Sequence, residues 1–166
     1  MRYRRADVVD HAVRALDEHG LAELTMRRLA GELGVQPSAL YHHFPSKDAL
    51  LAAVADELVA RGRRTSEVVT WDAEVSLVCV DLRDAMRAVR DGAELVAAVH
   101  GSGSQELEPA RRLAAVLERA GSDEDLVRVA TSMLVRFVID HVDDPAADFQ
   151  LGLTLLLDGL RRRLGG

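Results

Sequence analysis

Gln36, Pro37, Ser38 and Ala39, followed by Tyr41 and His42, gather small side chains, hydrogen-bonding groups and a phenol within one short stretch. Such a set suits close approach to a nucleic-acid groove, because short side chains admit the backbone and the polar groups can pair with bases or phosphates. That chemistry needs a rigid support, and the flanking sequence provides it. Leu40 and Phe44 form an inward i, i+4 pair, which leaves the other residues on or near the outer side of a helix opened by Pro37. Upstream, Thr25 reads as an N-cap, Leu24 on Leu29 as a staple, and Met26, Leu29, Ala30 and Leu33 recur at i, i+3, i+4, i+7. Gly34 marks a left-handed helix end. Two short helices joined by a glycine turn make a DNA-reading helix-turn-helix.

A length of 166 residues suits one domain, or a small domain with a larger one. Long Leu, Val, Ala, Arg and acidic stretches with few alternating β-branched runs predict an all-α chain without strands. The single Cys79 excludes an internal disulfide and lies in an apolar helical pattern, so a buried thiol inside an intracellular protein is expected. No run approaches a membrane span and no hydrophobic signal region opens the chain, which predicts a cytoplasmic protein with no membrane partner. The net charge of −6 divides unevenly, +1 over residues 1–64 and −7 over residues 65–166. A nucleic-acid footprint must therefore be local, from Arg2, Arg4, Arg5, Arg27, Arg28 and Lys47, the last being the only lysine.

Around the motif, Val9, Ala12, Val13 and Leu16 predict a preceding helix ended by Gly20, completing a three-helix head. Ser46 caps a long helix running to about residue 64, and residues 65–70 read as a linker. Trp71, Val75, Val78, Leu82, Ala85 and Val89 then repeat every three to four residues as far as Asp91-Gly92. A short helix over residues 93–100, a Gly-Ser loop over 101–104 and a helix through Ala110, Leu113, Ala114 and Leu117 follow. Ser122 with Asp125 resembles a capping box for the next helix. That helix, to about His141, and the last, over residues 149–160, are apolar nearly all round. A surface helix needs one apolar stripe, so a second buried side is expected, and a homodimer through Phe149, Leu153, Leu156 and Leu160 supplies it. The predicted organisation is a DNA-binding domain over residues 1–46, a connecting helix over 47–64, and an effector-binding and dimerisation domain over 65–166.

The segment from Leu24 and Thr25 through Leu33-Gly34-Val35, and then Ala39-Leu40-Tyr41-His42-His43-Phe44-Pro45-Ser46-Lys47-Asp48-Ala49-Leu50-Leu51, resembles the DNA-binding signature of the TetR family of bacterial transcriptional regulators. The match spans about residues 8–60. Trp71, the Arg90-Asp91-Gly92-Ala93 turn and the last helix are similar to a tetracycline-repressor type of ligand-binding domain. The positions that hold drug and metal in the drug-binding members fall on Arg63, Val78, Leu82 and Val96, so the resemblance implies an effector bound without Mg²⁺. It further implies that Arg27 reads a guanine edge or contacts phosphate, and that Arg28 lies near phosphate or solvent. Gln36, Pro37, Ser38 and Ala39 would approach bases, Ala or Pro carbons touching thymine methyls, while Tyr41, His42 and Lys47 hold phosphates and Thr25 caps the first motif helix beside the DNA.

In the second half the expected effector is small and hydrophobic or aromatic. Its candidate pocket draws on Trp71, Val75, Val78, Leu82, Met86, Val96, Met133 and Phe137, with Arg63, His100 or His141 as polar anchors, unless these residues only fill a core. The expected function is a dimeric repressor released from a palindromic operator in double-stranded DNA by that effector. The alternative is a DNA-binding regulator controlled by a protein partner, or one without an effector. No GxSxG, P-loop, GxGxxG or HExxH occurs, and six histidines are scattered without ligand spacing. Neither an enzyme, a metal site nor a cofactor is expected.

Overall fold

The computed structural model describes residues 3–64, 67–103 and 107–164. Arg2 of the cationic arm, Thr65 and Ser66 of the linker, and Ser104 of the Gly-Ser loop lie outside them. The described residues form nine helices and no strand: α1 (Arg5–His19), α2 (Met26–Glu32), α3 (Pro37–Tyr41), α4 (Lys47–Gly62), α5 (Trp71–Arg87), α6 (Gly92–Ser102), α7 (Glu108–Arg119), α8 (Glu124–Asp140) and α9 (Ala146–Leu164). The all-α expectation holds.

α1 turns Val8, Val9, Ala12, Val13 and Leu16 inward, where Leu29 and Ala30 of α2, Leu40 of α3 and Phe44 meet them in the head. α4 is buried on more than one side because small Ala52, Ala53 and Ala55 alternate with Leu50, Val54, Leu58 and Val59. It packs against α1 and also against α5, α6 and α7, so it joins head and body in one continuous core. In the body, α5 packs against α4, α6, α7, α8 and α9.

Polar contacts fasten the same junction. Arg61 of α4 is ion-paired with Asp10 of α1 and with Glu57, one turn back. Across the α5–α6 turn, the Asp91 carboxylate accepts the Leu21 backbone N–H at 2.8 Å, and the Arg90 backbone N–H donates to Asp17 at 3.0 Å. Asp91 holds a left-handed φ of 54°, a conformation that costs a non-glycine residue on the order of 1 kcal/mol. Its bond to the head offsets that cost.

Three local readings change. The cap of α8 is Asp123, whose Oδ1 accepts the Leu126 N–H at 2.8 Å, while the Ser122 hydroxyl is buried without a partner. A carboxylate at a helix N-terminus also meets the favourable end of the dipole. α6 continues through Gly101 and Ser102, so the predicted Gly-Ser loop is partly helical and the chain turns at Gly103. Finally, α5 buries two charged side chains, Asp81 and Arg83. Arg83 Nε donates to the Val142 carbonyl at 3.0 Å, its Nη2 to that of Asp144, and its guanidinium sits 4.3 Å from the Phe149 ring centre, which fastens the α8–α9 turn to α5.

Candidate functional site

The α2–α3 unit is built by local signals. Thr25 Oγ1 accepts the Arg28 N–H at 3.2 Å and opens α2, while its hydroxyl proton remains available to a phosphate. α2 closes with a Schellman pair, Val35 N–H to the Ala30 carbonyl at 2.9 Å and Gly34 N–H to the Gly31 carbonyl at 3.1 Å. Gly34 sits at φ 65°, which a side chain would strain. Pro37 then starts α3 at once, with Leu40 as its buried anchor.

This arrangement turns Gln36, Ser38, Tyr41 and His42 to solvent, with Pro37 and Ala39 half-buried between them. Gln36 makes no side-chain cap bond, and Tyr41 is 51 % exposed. A groove of about 680 Å³, lined by Tyr3, Val8, Ala39, Leu40, His42 and His43 among others, runs beside α3. Arg27 and Lys47 are exposed, with no hydrogen-bond or ion-pair partner among the described residues. Lys47 occupies the first position of α4, whose capping hydroxyl, Ser46 Oγ, accepts the Ala49 N–H at 3.0 Å. A cation at the positive end of a helix is unfavourable alone, and an anion placed there relieves both.

Arg28 is differently employed. Its Nε donates to Glu32 at 3.0 Å and its Nη1 to Glu23 at 2.8 Å, while His11 Nε2 lies 3.1 Å from the other Glu32 oxygen. The hydrogen bond from Arg28 is the main cause holding the Glu32 carboxyl below its ordinary range. The network braces α2 against α1. Arg5 is also occupied in part, lying over the Phe44 ring at 4.8 Å.

In the body, the residues proposed for a pocket are not brought together. Val75, Val78, Leu82, Met86 and Val96 fill the closed core. Trp71 is half-buried at the start of α5, and Arg63 is exposed at the end of α4, 3.6 Å from Glu108. Phe137 and His141 stack at 4.5 Å, Phe137 and Phe149 at 5.3 Å, and His141 Nδ1 lies 2.9 Å from the Phe137 carbonyl. They belong to the support of the α8–α9 turn. Met133 faces outward at 52 % exposure. His100 alone of the set lines an open groove of about 420 Å³ between α6, α7 and α8, with Leu107, Ala110, Ala114, Val127 and Thr131 among its walls. The sequence signal for this groove was the pair of small residues, Ala110 and Ala114, on the face of α7 turned to α8.

α8 and α9 carry a second apolar surface. Phe149, Leu153 and Leu157 form the inward face of α9 and are buried within the protomer, so the first two are core residues here. The outward surface comes from Val129, Met133, Leu151 and Leu155, with Leu156 and Leu160 half-buried along a shallow groove between the helices. No helix among the described residues is long and apolar enough to cross a membrane, and no group of three metal-binding side chains is found among them.

Residues 8–54 match the family model of bacterial regulatory proteins, tetR family, and residues 65–147 match that of the tetracyclin repressor-like C-terminal domain. Among curated proteins, the chain is 31 % identical over 194 residues to the tetracycline repressor protein class A from transposon 1721 of Escherichia coli, covering 94 % of this chain and 89 % of that one. Among solved structures, Mycobacterium smegmatis BioQ superposes with a TM-score of 0.85 at 36 % identity, covering 95 % and 97 % of the two chains. A structure of BioQ with its double-stranded DNA operator superposes with a TM-score of 0.82 at 39 % identity, covering 95 % and 98 %.

Proposed function

The chain belongs to the TetR family of bacterial regulatory proteins, and on that premise we propose that it is a repressor which binds a palindromic operator as a homodimer and leaves it when a small hydrophobic effector binds the body. The observation that carries the DNA reading is the outward set on the α2–α3 unit. Gln36, Ser38, Tyr41 and His42 are exposed on a braced support, flanked by Arg27 and Lys47, which no carboxylate among the described residues neutralises. Arg27 is the candidate base reader, and Thr25, Tyr41, His42 and Lys47 position the backbone. Arg28, Pro37 and Ala39 support the reading surface. Residues 1–46 act as the DNA-binding domain, α4 as the connecting helix, and residues 65–166 as the regulatory and dimerising part.

The dimer is supported by the outward apolar surface of α8 and α9, which one protomer leaves uncovered. Two-fold symmetry sets the paired reading helices about 34–36 Å apart, one turn of duplex. The body offers the α6–α7–α8 groove to an effector, and its occupation shifts the population toward a head spacing that fits the operator poorly. That the chain is similar to a tetracycline repressor does not carry tetracycline over, because Val78, Leu82 and Val96 bring neither polar nor metal-binding atoms to the corresponding positions.

Selection of duplexes from a random pool by the purified protein, followed by anisotropy titration, tests the proposal. An inverted repeat should emerge, bound with one dimer per site and with affinity falling steeply as salt rises. Binding no tighter than to unselected duplex overturns it.

A further inference from the structure

Thr131 of α8 lines the α6–α7–α8 groove, yet its hydroxyl is shut away from solvent and has no hydrogen-bond partner. The residue is 7 % exposed. A buried hydroxyl left unpaired costs stability, and the helix carbonyl one turn back, the usual acceptor for threonine, does not take it up. Threonine in a helix has two accessible χ1 positions, and rotation between them moves the hydroxyl to a new direction, with the methyl or the hydrogen taking its former place. The hydroxyl can thus be presented to an occupant of the groove that offers it a partner.

The rest of the groove limits what that occupant can be. Leu107, Ala110, Ala114 and Val127 make its walls apolar, and its volume of about 420 Å³ lies within the range of small-molecule sites. Along α8 the lining runs from Glu124 to Val135, about 16 Å of helix. The charges at the rim are already balanced: Arg128 Nη2 donates to Asp125 at 2.9 Å, and Glu124 stands in the first turn of α8, where the helix dipole compensates it. An anion would find the neighbouring Arg128 paired with Asp125 and the Glu124 carboxylate beside it, with His100 across the groove as the remaining cationic candidate. A cation would lose its hydration to the apolar walls.

We infer that this groove, which holds the effector on the functional reading above, takes an uncharged, elongated, largely apolar molecule carrying one hydrogen-bonding group for Thr131. The test compares two fluorescent probes of one skeleton on the full chain, uncharged N-phenyl-1-naphthylamine and anionic 8-anilino-1-naphthalenesulfonate. The uncharged probe should bind at least tenfold tighter. Thr131→Val keeps the shape and removes the hydroxyl, so it should weaken that probe about three- to tenfold while raising the Tm of the free protein. Ala114→Phe fills the groove and should abolish binding. If that variant does not fold, Thr131→Val decides. Equal or tighter binding of the sulfonate, or binding of the uncharged probe unaffected by both substitutions, overturns the inference. Operator release is read separately: a probe that binds with these dependences and leaves the operator bound upholds the ligand class and rejects the effector role.

Discussion

Gly62→Ala should destabilise the protein, although alanine is the better helix former. Gly62 ends α4 where that helix crosses α5, and a Cβ built there would lie 2.5 Å from Ala85 Cβ, 3.1 Å from Ala85 Cα and 3.2 Å from the Asp81 carbonyl oxygen. Comfortable carbon contacts need about 3.5–4.0 Å. None of these neighbours can swing aside, since they are backbone atoms or a Cβ. α4 must therefore move by about 1 Å, at an overpacking cost of about 1–3 kcal/mol. Against this, alanine gains up to about 1 kcal/mol over glycine in a helix interior, and less at its last residue. The clash wins by about 1–2 kcal/mol, which for a chain of this size lowers Tm by about 2–8 °C. Gly31→Ala in α2, with nothing within 4 Å of the added carbon, supplies the control and should raise Tm. Thermal melts at one fixed protein concentration compare the two, and the cycle with Ala85→Gly should return a coupling of about 1 kcal/mol or more. A Tm for Gly62→Ala that rises like that of Gly31→Ala refutes the close-crossing argument. So does strict additivity with Ala85→Gly.

Arg27→Ala should cost about 1–3 kcal/mol at a single base pair, whereas Lys47→Ala weakens all duplexes alike and flattens the salt dependence; anisotropy on an operator mutant series separates them. Leu155→Asp, on the outward face of α9, should give a folded monomer in sedimentation, while Phe149→Asp, on the inward face, should lose the folded helix signal in circular dichroism. Bonding from the Thr70 hydroxyl and then from the Arg161 guanidinium holds Asp72 down to about 2. Because that folded-state value is depressed, its stabilisation is complete above the ordinary carboxyl range near 3.8 and is lost as pH falls toward 2. Arg161→Gln should accordingly move acid unfolding to higher pH. Burial pushes the Cys79 thiol up to about 12, so an aromatic disulfide reagent should react with it only on unfolding.

The head was legible in the sequence because its determinants are local. Thr25, Gly34, Pro37 and Ser46 each act within a few residues of themselves, and each performs its expected part in a cap or turn. At the start of α8 two adjacent residues could cap the same helix, and spacing alone favoured Ser122 over Asp123. Apolar perimeter identified α8 and α9 as two-sided helices but could not divide them, since Phe149 and Leu151 are alike as letters and differ only in what α5 and α8 bring to them. The groove was missed for a related reason. It arises where small side chains leave space between three helices, whereas the large apolar residues first assigned to a pocket are those that fill space. Arg83 and Asp81 gave no signal that set them apart from the other charges of the same helix, Asp72, Glu74, Asp84 and Arg87.

Lys47 is the only lysine in the chain, and it stands exposed at the start of α4 on the reading side of the head. An amine-selective acylating reagent therefore meets one side-chain target in the whole sequence, and reaction there exchanges a cation for a neutral amide. On the proposed mode of binding, a duplex should shield that amine. The extent of acylation, read as one mass increment on one peptide, becomes a footprint of operator occupancy that needs no label on the DNA and no engineered residue in the protein.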